Sequence, residues 1–552
     1  MTITESPPTT TAADDAARLD TDPLDGGVLG VLTTTDHKAI GAMYVRSSLV
    51  FAAAMTIVGA FAGLERIDPD SVDIFGGATA LAQTVSLYRT GLAVLVVMPL
   101  LVGLGTVVVP LQVGATSIAF PRASAAGFWT WLVGAGAYIG SFIVDGGFVS
   151  GNNVDNRAVA LTIASLGVSV AGLVLGMVCI ATTVIALRPK GMSLTRVPVF
   201  AWSMMIAAVV WLLSMAVLIA DLVIDYVALQ HTDREVDALA SIAWMLSGPQ
   251  VFAFVIPALG IIAEIIPVST QQRQQRYGVL LGAIAAFGLL SFGAFAQSAY
   301  DLGPRDVTEE FFYIVVGVAL LLPMLLVVGA ILDTLTRGRK RVAVSAAFVG
   351  AFGALVMLLA GVGANAVRVI GHWRERADWN ETRIMDVGVM HYALLAGLIA
   401  GVAGIYFWSP KIFGRRFNDG FGRLAVVALV LGTVVVALPD VVAGFIDDSD
   451  FLDVLGFISM AGGFVVAAGA LLALGGVALG LLSESNEVVP ANPWHGYTFE
   501  WATASPPPVG NFEAPVPVVS SPTPLLDIVD ELDGSDTADA TSPRKPSSQK
   551  DA

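Results

Sequence analysis

Long apolar runs separated by short polar connections repeat from about residue 43 to residue 483. A helix rises 1.5 Å per residue, so a run of about two dozen residues such as 244–267 is long enough to cross a hydrocarbon layer ~30 Å thick. Helices are the expected form, because in lipid they satisfy every backbone group within one segment. The pattern predicts twelve spans, near residues 43–64, 90–113, 128–144, 158–187, 198–224, 238–266, 277–300, 312–335, 342–366, 384–408, 424–446 and 454–483. The expected fold class is therefore all-α, a polytopic membrane bundle of about twelve transmembrane helices. Residues 1–35, rich in Thr, Asp, Ala and Pro, read as a disordered acidic segment ahead of a bundle spanning 36–488. Residues 489–552 read as a Pro/Asp/Ser-rich tail whose end, after Pro508, lacks core-forming residues.

Composition supports this. The 552 residues are 55% hydrophobic and 13% charged, against about 25% charged in soluble domains. Six lysines face 45 acidic residues and the net charge is −16, which excludes nucleic acid as an expected partner and suggests a halophilic cytoplasm. The single cysteine, Cys179, sits in an apolar run, so it reads as a small core residue, and no disulfide framework or Cys-based metal site can form within the chain. No basic region precedes a short apolar one at the N-terminus, so no cleavable signal peptide is expected. Alternate connections are basic: Arg122; Arg188, Lys190 and Arg196; Arg273 and Arg276; residues 337–341; Lys411, Arg415, Arg416 and Arg423. Basic connections mark the cytoplasmic side. The chain is thus expected in the cell membrane with both termini inside. The connection at 368–383, with four arginines, breaks this trend.

Candidate chemistry centres on residues 244–267, WMLSGPQVFAFVIPALGIIAEIIP, an apolar stretch interrupted by three prolines. It resembles the sixth helix of subunit I of the haem-copper respiratory oxidases, keeping Trp244, Pro249, Val251, Pro257, Gly260, Ile261, Glu264 and Ile265. Further resemblance lies in TTTDHKAIGAMY (33–44), PLQVGATSIAFPRASAAGFW (110–129), AGIYFWSPKIFGR (403–415) and NPWHGYTFEWATASPPP (492–508). The resemblance implies the family's helical bundle, an electron-transport role beside other respiratory or oxidase subunits, and, in active members, two haems and one copper held by six His. Imidazole suits such sites because its neutral nitrogen ligates iron and copper.

Position by position, that ligand set is almost gone. The first low-spin haem ligand falls at Thr90, the helix-six copper ligand at Gly248, and the adjacent pair of helix seven at Gln297 and Ser298. In helix ten the two ligand positions are Val389 and His391, so His391 alone remains. Gln250 stands where the family has a proton-passing Glu, and Phe252 where it has a Tyr. The proton-path Asp and Lys fall at Ser117 and Val327, and the propionate arginines in the acidic stretch GFIDDSD (444–450). With five His in the chain, a shift of register does not restore the set.

For His391, a neutral imidazole hydrogen-bonded between helices is preferred over a cofactor-binding role. Asp386 and Glu264 read as interfacial acids, the latter touching headgroups or a basic loop, and Tyr88 and Arg89 as interfacial anchors. Three functions are carried forward: a catalytically dead paralogue acting as a structural, assembly or regulatory component of a respiratory membrane complex; an active cytochrome c or quinol oxidase; and a repurposed bundle binding or conducting a small molecule. No metal or catalytic residue is assigned, and His391 is the one candidate cofactor-binding residue, as the only retained haem-ligand position. The emptied centre is expected to close around Thr90, Gly248, Ser298, Ala299 and Val389, with a cavity lined by Phe252, Phe295, Met390 and His391.

Overall fold

The computed structural model describes residues 27–67, 72–148, 156–231, 236–294, 307–338, 342–374, 379–446, 449–483 and 488–527. The first five passes are α1 (His37–Ile67), α2 (Ala78–Gln112), α3 (Pro121–Ile143), α4 (Asn156–Ala186) and α5 (Val199–His231). The sixth is broken into α6 (Ala238–Leu246), α7 (Gln250–Ala253) and α8 (Ile256–Thr270). Then follow α9 (Tyr277–Ser291), α10 (Val307–Ala319), α11 (Leu321–Thr336), α12 (Ala346–Arg374), α13 (Trp379–Phe413), α14 (Asp419–Ala443) and α15 (Ser449–Leu482). Helices α1 to α5 and α12 to α15 are each long and apolar enough to cross a bilayer, as is the run Ile314–Thr336 through α10 and α11. With the broken sixth pass and the short α9 these make the twelve passes that hydropathy predicts. Several extend beyond the expected boundaries, the second beginning at Ala78 rather than near residue 90.

Helices α2 and α13 form the centre of the bundle: their most apolar stretches are wholly buried, against 39% for α15. Small residues set the closest contacts. A Cβ added at Gly462 of α15 would lie 2.5 Å from the backbone nitrogen of Val436 on α14, so only glycine permits that approach. Within α2, residues Leu92–Val97 form a π-helical turn directly after Thr90 and Gly91, a local widening that recurs at functional sites.

The break in the sixth pass follows from its prolines. Pro249 has no N–H and cannot continue the ladder, while Pro257 opens α8, where its missing donor costs little. The carbonyls freed by the break find side-chain donors. Trp211 Nε1 donates to Ala253 O at 2.8 Å, and Arg368 Nη2 to Gly248 O at 3.0 Å, the compensation a helix break in lipid requires.

Residues 488–527 lie across one end of the bundle. Lys411 Nζ donates to the carbonyls of Ala491 (2.8 Å) and Thr503 (2.6 Å) and to Ser505 Oγ (3.0 Å). His37 Nε2 lies 3.1 Å from Asn511 Oδ1, and Arg273 pairs with Asp527 at 3.0 Å. The basic connections at Lys190, Arg196, Arg273 and Lys411 therefore gather at the same end as this segment. Val519 is 1% exposed, so core packing continues past Pro508, where composition offered no sign of it. Cys179 is buried, as a small core residue should be.

Candidate functional site

The position matching the copper ligand of helix six is filled from α12. A Cβ built on Gly248 would stand 2.0 Å from Asn365 Oδ1, so no side chain fits there while Asn365 keeps its place. Asn365, fully buried, donates through Nδ2 to Gly317 O at 3.3 Å and accepts from Arg368 Nη2 at 3.1 Å. Arg368, 4% exposed, also holds the Gly248 carbonyl and pairs with Asp386 of α13 at 2.9 Å. A buried guanidinium needs this kind of pairing, since an isolated charge in the bundle costs several kcal/mol. Two expectations are corrected here: Asp386 is an ion-pair partner inside the bundle rather than an interfacial acid, and Arg368 belongs to α12 rather than to a basic connection.

Gln250, at the position of the family's proton-passing Glu, is tied down as a structural amide. Its Nε2 donates to Ser214 Oγ at 3.0 Å and its Oε1 accepts from Gly293 N at 2.8 Å. Phe252 is buried against Phe287 and Val389 is buried. Gln297, Ser298, Ala299 and Phe295 lie outside the described residues.

The first low-spin ligand position, Thr90, lies within α2. Thr90 donates its hydroxyl to Ser86 O at 2.6 Å and lies in hydrogen-bond contact with the Tyr138 hydroxyl. Two residues earlier, Tyr88 lays its ring against Gly59 of α1, where a Cβ would come within 2.5 Å of the ring. Its hydroxyl lies 3.0 Å from His391 Nε2, and the other ring nitrogen of His391 lies 3.4 Å from Asp440 Oδ2 on α14. His391 and Asp440 are each 5% exposed. Tyr88, read from the sequence as an interfacial anchor, instead bridges α2 to α13 from within the bundle.

Beside this triad a cleft opens between α1, α2, α13, α14 and α15. It gives water-sized molecules about 70 Å³ of room and is bordered by Arg66, Tyr88, Arg89, His391, Asp440 and Ser459. The sequence places a cavity beside His391 on the Phe252 and Met390 side. Phe252 and Met390 are 0% and 2% exposed, Phe295 lies outside the described residues, and the cleft described here lies towards α1 and α15.

Glu264 also departs from expectation: its Oε1 accepts the N–H of Phe200 at 3.2 Å within the bundle, rather than meeting headgroups or a basic loop. Nearby, Glu500 of the C-terminal segment accepts from Gln112 Nε2 at 3.0 Å and Trp408 Nε1 at 3.4 Å, leaving its Oε2 buried without a donor. Burial pushes this carboxyl above its ordinary range despite hydrogen bonds that favour the anion.

These residues do not fit two haems and a copper. At the copper position a ligand side chain collides with Asn365, and at the low-spin positions Thr90 offers no nitrogen donor while Nε2 of the one retained His is hydrogen-bonded to Tyr88. Asn365, Tyr138 and Asp440 escaped the sequence reading because each is one polar residue in an apolar run, and Arg368 was read as part of a connection. The available signal was the spacing of Asn365 and Arg368, three apart and so on one helix face.

The family model for "Cytochrome C and Quinol oxidase polypeptide I" matches residues 39–475. The chain is 27% identical to cytochrome c oxidase subunit 1 of Bacillus subtilis (strain 168), covering 90% of this chain and 82% of that one. It is also 27% identical to quinol oxidase subunit 1 of the same organism, over 91% and 80% of the two chains. A cryo-EM structure of a heme-copper terminal oxidase dimer shares the fold, with a TM-score of 0.62 at 12% identity over 89% of each chain. The chain belongs to the cytochrome c and quinol oxidase polypeptide I family and is a multi-pass membrane protein of that family.

Proposed function

We propose that this chain keeps the oxidase subunit I scaffold without the oxygen-reducing centre, and acts as a structural, assembly or regulatory component of a respiratory membrane complex. The observation that carries this reading is the contact between Gly248 and Asn365, where even a Cβ would come within 2.0 Å of the amide oxygen. Ligand loss alone leaves a hole, which packing penalises. Here the hole is occupied by a linked set: Arg368 donates to Asn365 and pairs with Asp386 at 2.9 Å. Thr90, Gly248 and Val389 supply no nitrogen donor where the active family needs one. The one imidazole at a ligand position, His391, is engaged by Tyr88.

The basic connections gathered beside the C-terminal segment support a cytoplasmic location for both termini, and the acidic composition supports a halophilic setting.

The test is oxygen uptake by the purified chain in liposomes, supplied in turn with reduced cytochrome c and with a quinol. The expected result is no cyanide-sensitive uptake, together with co-purification of other respiratory subunits from native membranes. Sustained cyanide-sensitive turnover would refute the reading.

A further inference from the structure

We propose that the cleft beside His391 binds a small oxyanion, a phosphate or carboxylate group, between Arg66 and Arg89. The cleft borders five helices, and its room of about 70 Å³ exceeds the ~10–15 Å³ that one water needs. Arg66 is exposed at the mouth and Arg89 is half-buried deeper in. Neither has a hydrogen bond or ion pair to another described residue.

The neighbouring carboxylates are otherwise engaged. Glu65, next to Arg66, accepts the N–H groups of Ile74 and Phe75 at 2.9 and 3.0 Å. Asp386 pairs with Arg368. Asp440 borders the cleft but faces His391 at 3.4 Å. Two guanidinium groups therefore share the space with one carboxylate, leaving it short of one negative charge. A guanidinium presents paired N–H donors that match the geometry of phosphate and carboxylate, and a partly buried charge gains most from such a partner.

Phosphate can reach the cleft as a free ion or as the headgroup of an anionic lipid; the chemistry is shared. The inference rests on the reading that no haem occupies this space, and an absorption spectrum of the same sample tests that premise separately.

The chain is reconstituted in phosphatidylcholine nanodiscs, and thermal unfolding is followed while inorganic phosphate is titrated. In parallel, phosphatidylglycerol retained from mixed vesicles is counted by native mass spectrometry. The expected result is either saturable protection by phosphate or retention of one phosphatidylglycerol per chain. Arg89→Gln and Arg66→Gln should each weaken that binding at least tenfold, and Asp440→Asn should tighten it. Protection by phosphate identifies a free ion, and lipid retention without it identifies a headgroup. Should Arg89→Gln fail to fold, the exposed Arg66→Gln carries the comparison. Binding of neither probe to the wild-type chain, or binding unchanged in the folded arginine variants, overturns the proposal. A haem absorption band would overturn the premise; its absence together with absent binding would overturn this inference alone.

Discussion

The Tyr88 hydroxyl and Nε2 of His391 meet at 3.0 Å between α2 and α13, the two helices at the centre of the bundle. This contact converts what the family uses as a ligand position into a helix-to-helix hydrogen bond. Asp440 of α14 lies 3.4 Å from the other ring nitrogen without making a hydrogen bond to it, so the imidazole is held from α2.

That arrangement predicts measurable coupling. In a double-mutant cycle, Tyr88→Phe and His391→Leu should show an interaction energy of about 0.5–1.5 kcal/mol in reversible unfolding, the worth of one buried hydrogen bond. Additive effects would mean that the pair does not act as a unit.

At the copper position the prediction concerns space. Gly248→Ala places its Cβ on Asn365 Oδ1, and overpacking of this kind costs about 1–3 kcal/mol or more. Adding Asn365→Ala should recover part of the loss despite removing a polar partner. Equal stability of wild type and Gly248→Ala, read by thermal unfolding in detergent, would count against the packing described.

How much of this was legible in the sequence can be judged residue by residue. Twelve passes were legible because apolar length is a direct consequence of bilayer thickness. The loss of ligands at Thr90, Gly248 and Val389 was legible because coordination needs particular atoms. What replaced them was not. Tyr88 and Arg89 stand close to the start of an apolar run, as interfacial anchors do, and only the earlier start of α2 at Ala78 puts them inside. Asp386 and Arg368 belong to different helices, so their pairing is a tertiary fact with no local trace. The cleft towards α1 and α15 left no local trace in the sequence, because volume is set by neighbouring helices.

Glu500 predicts a pH effect. Its buried carboxyl is raised above the ordinary range and one oxygen lacks a donor, so the folded chain holds a proton more tightly there than the unfolded chain. The corresponding stability is complete below the unfolded value of about 4.3 and is lost as pH rises through the folded one, at about 1.4 kcal/mol for each pH unit that separates the two. Unfolding measured from pH 5 to pH 8 should show wild-type stability declining, and Glu500→Gln should flatten the decline. An unchanged slope in the variant would exclude Glu500 as its source.

Topology is open to labelling, because the lone native thiol, Cys179, is buried. In intact cells Asp237→Cys should react with an impermeant maleimide, while Arg337→Cys should react only after permeabilisation. The reverse pattern would place both termini outside.

Everything proposed for this chain depends on its scaffold holding no haem-copper centre. The direct measurement is iron and copper per chain in protein purified from its own membranes, with a reduced-minus-oxidised absorption spectrum of the same sample. Substoichiometric iron and copper and no haem bands are the expected result. Two haems and one copper per chain, with the bands of a six-coordinate haem, would contradict it.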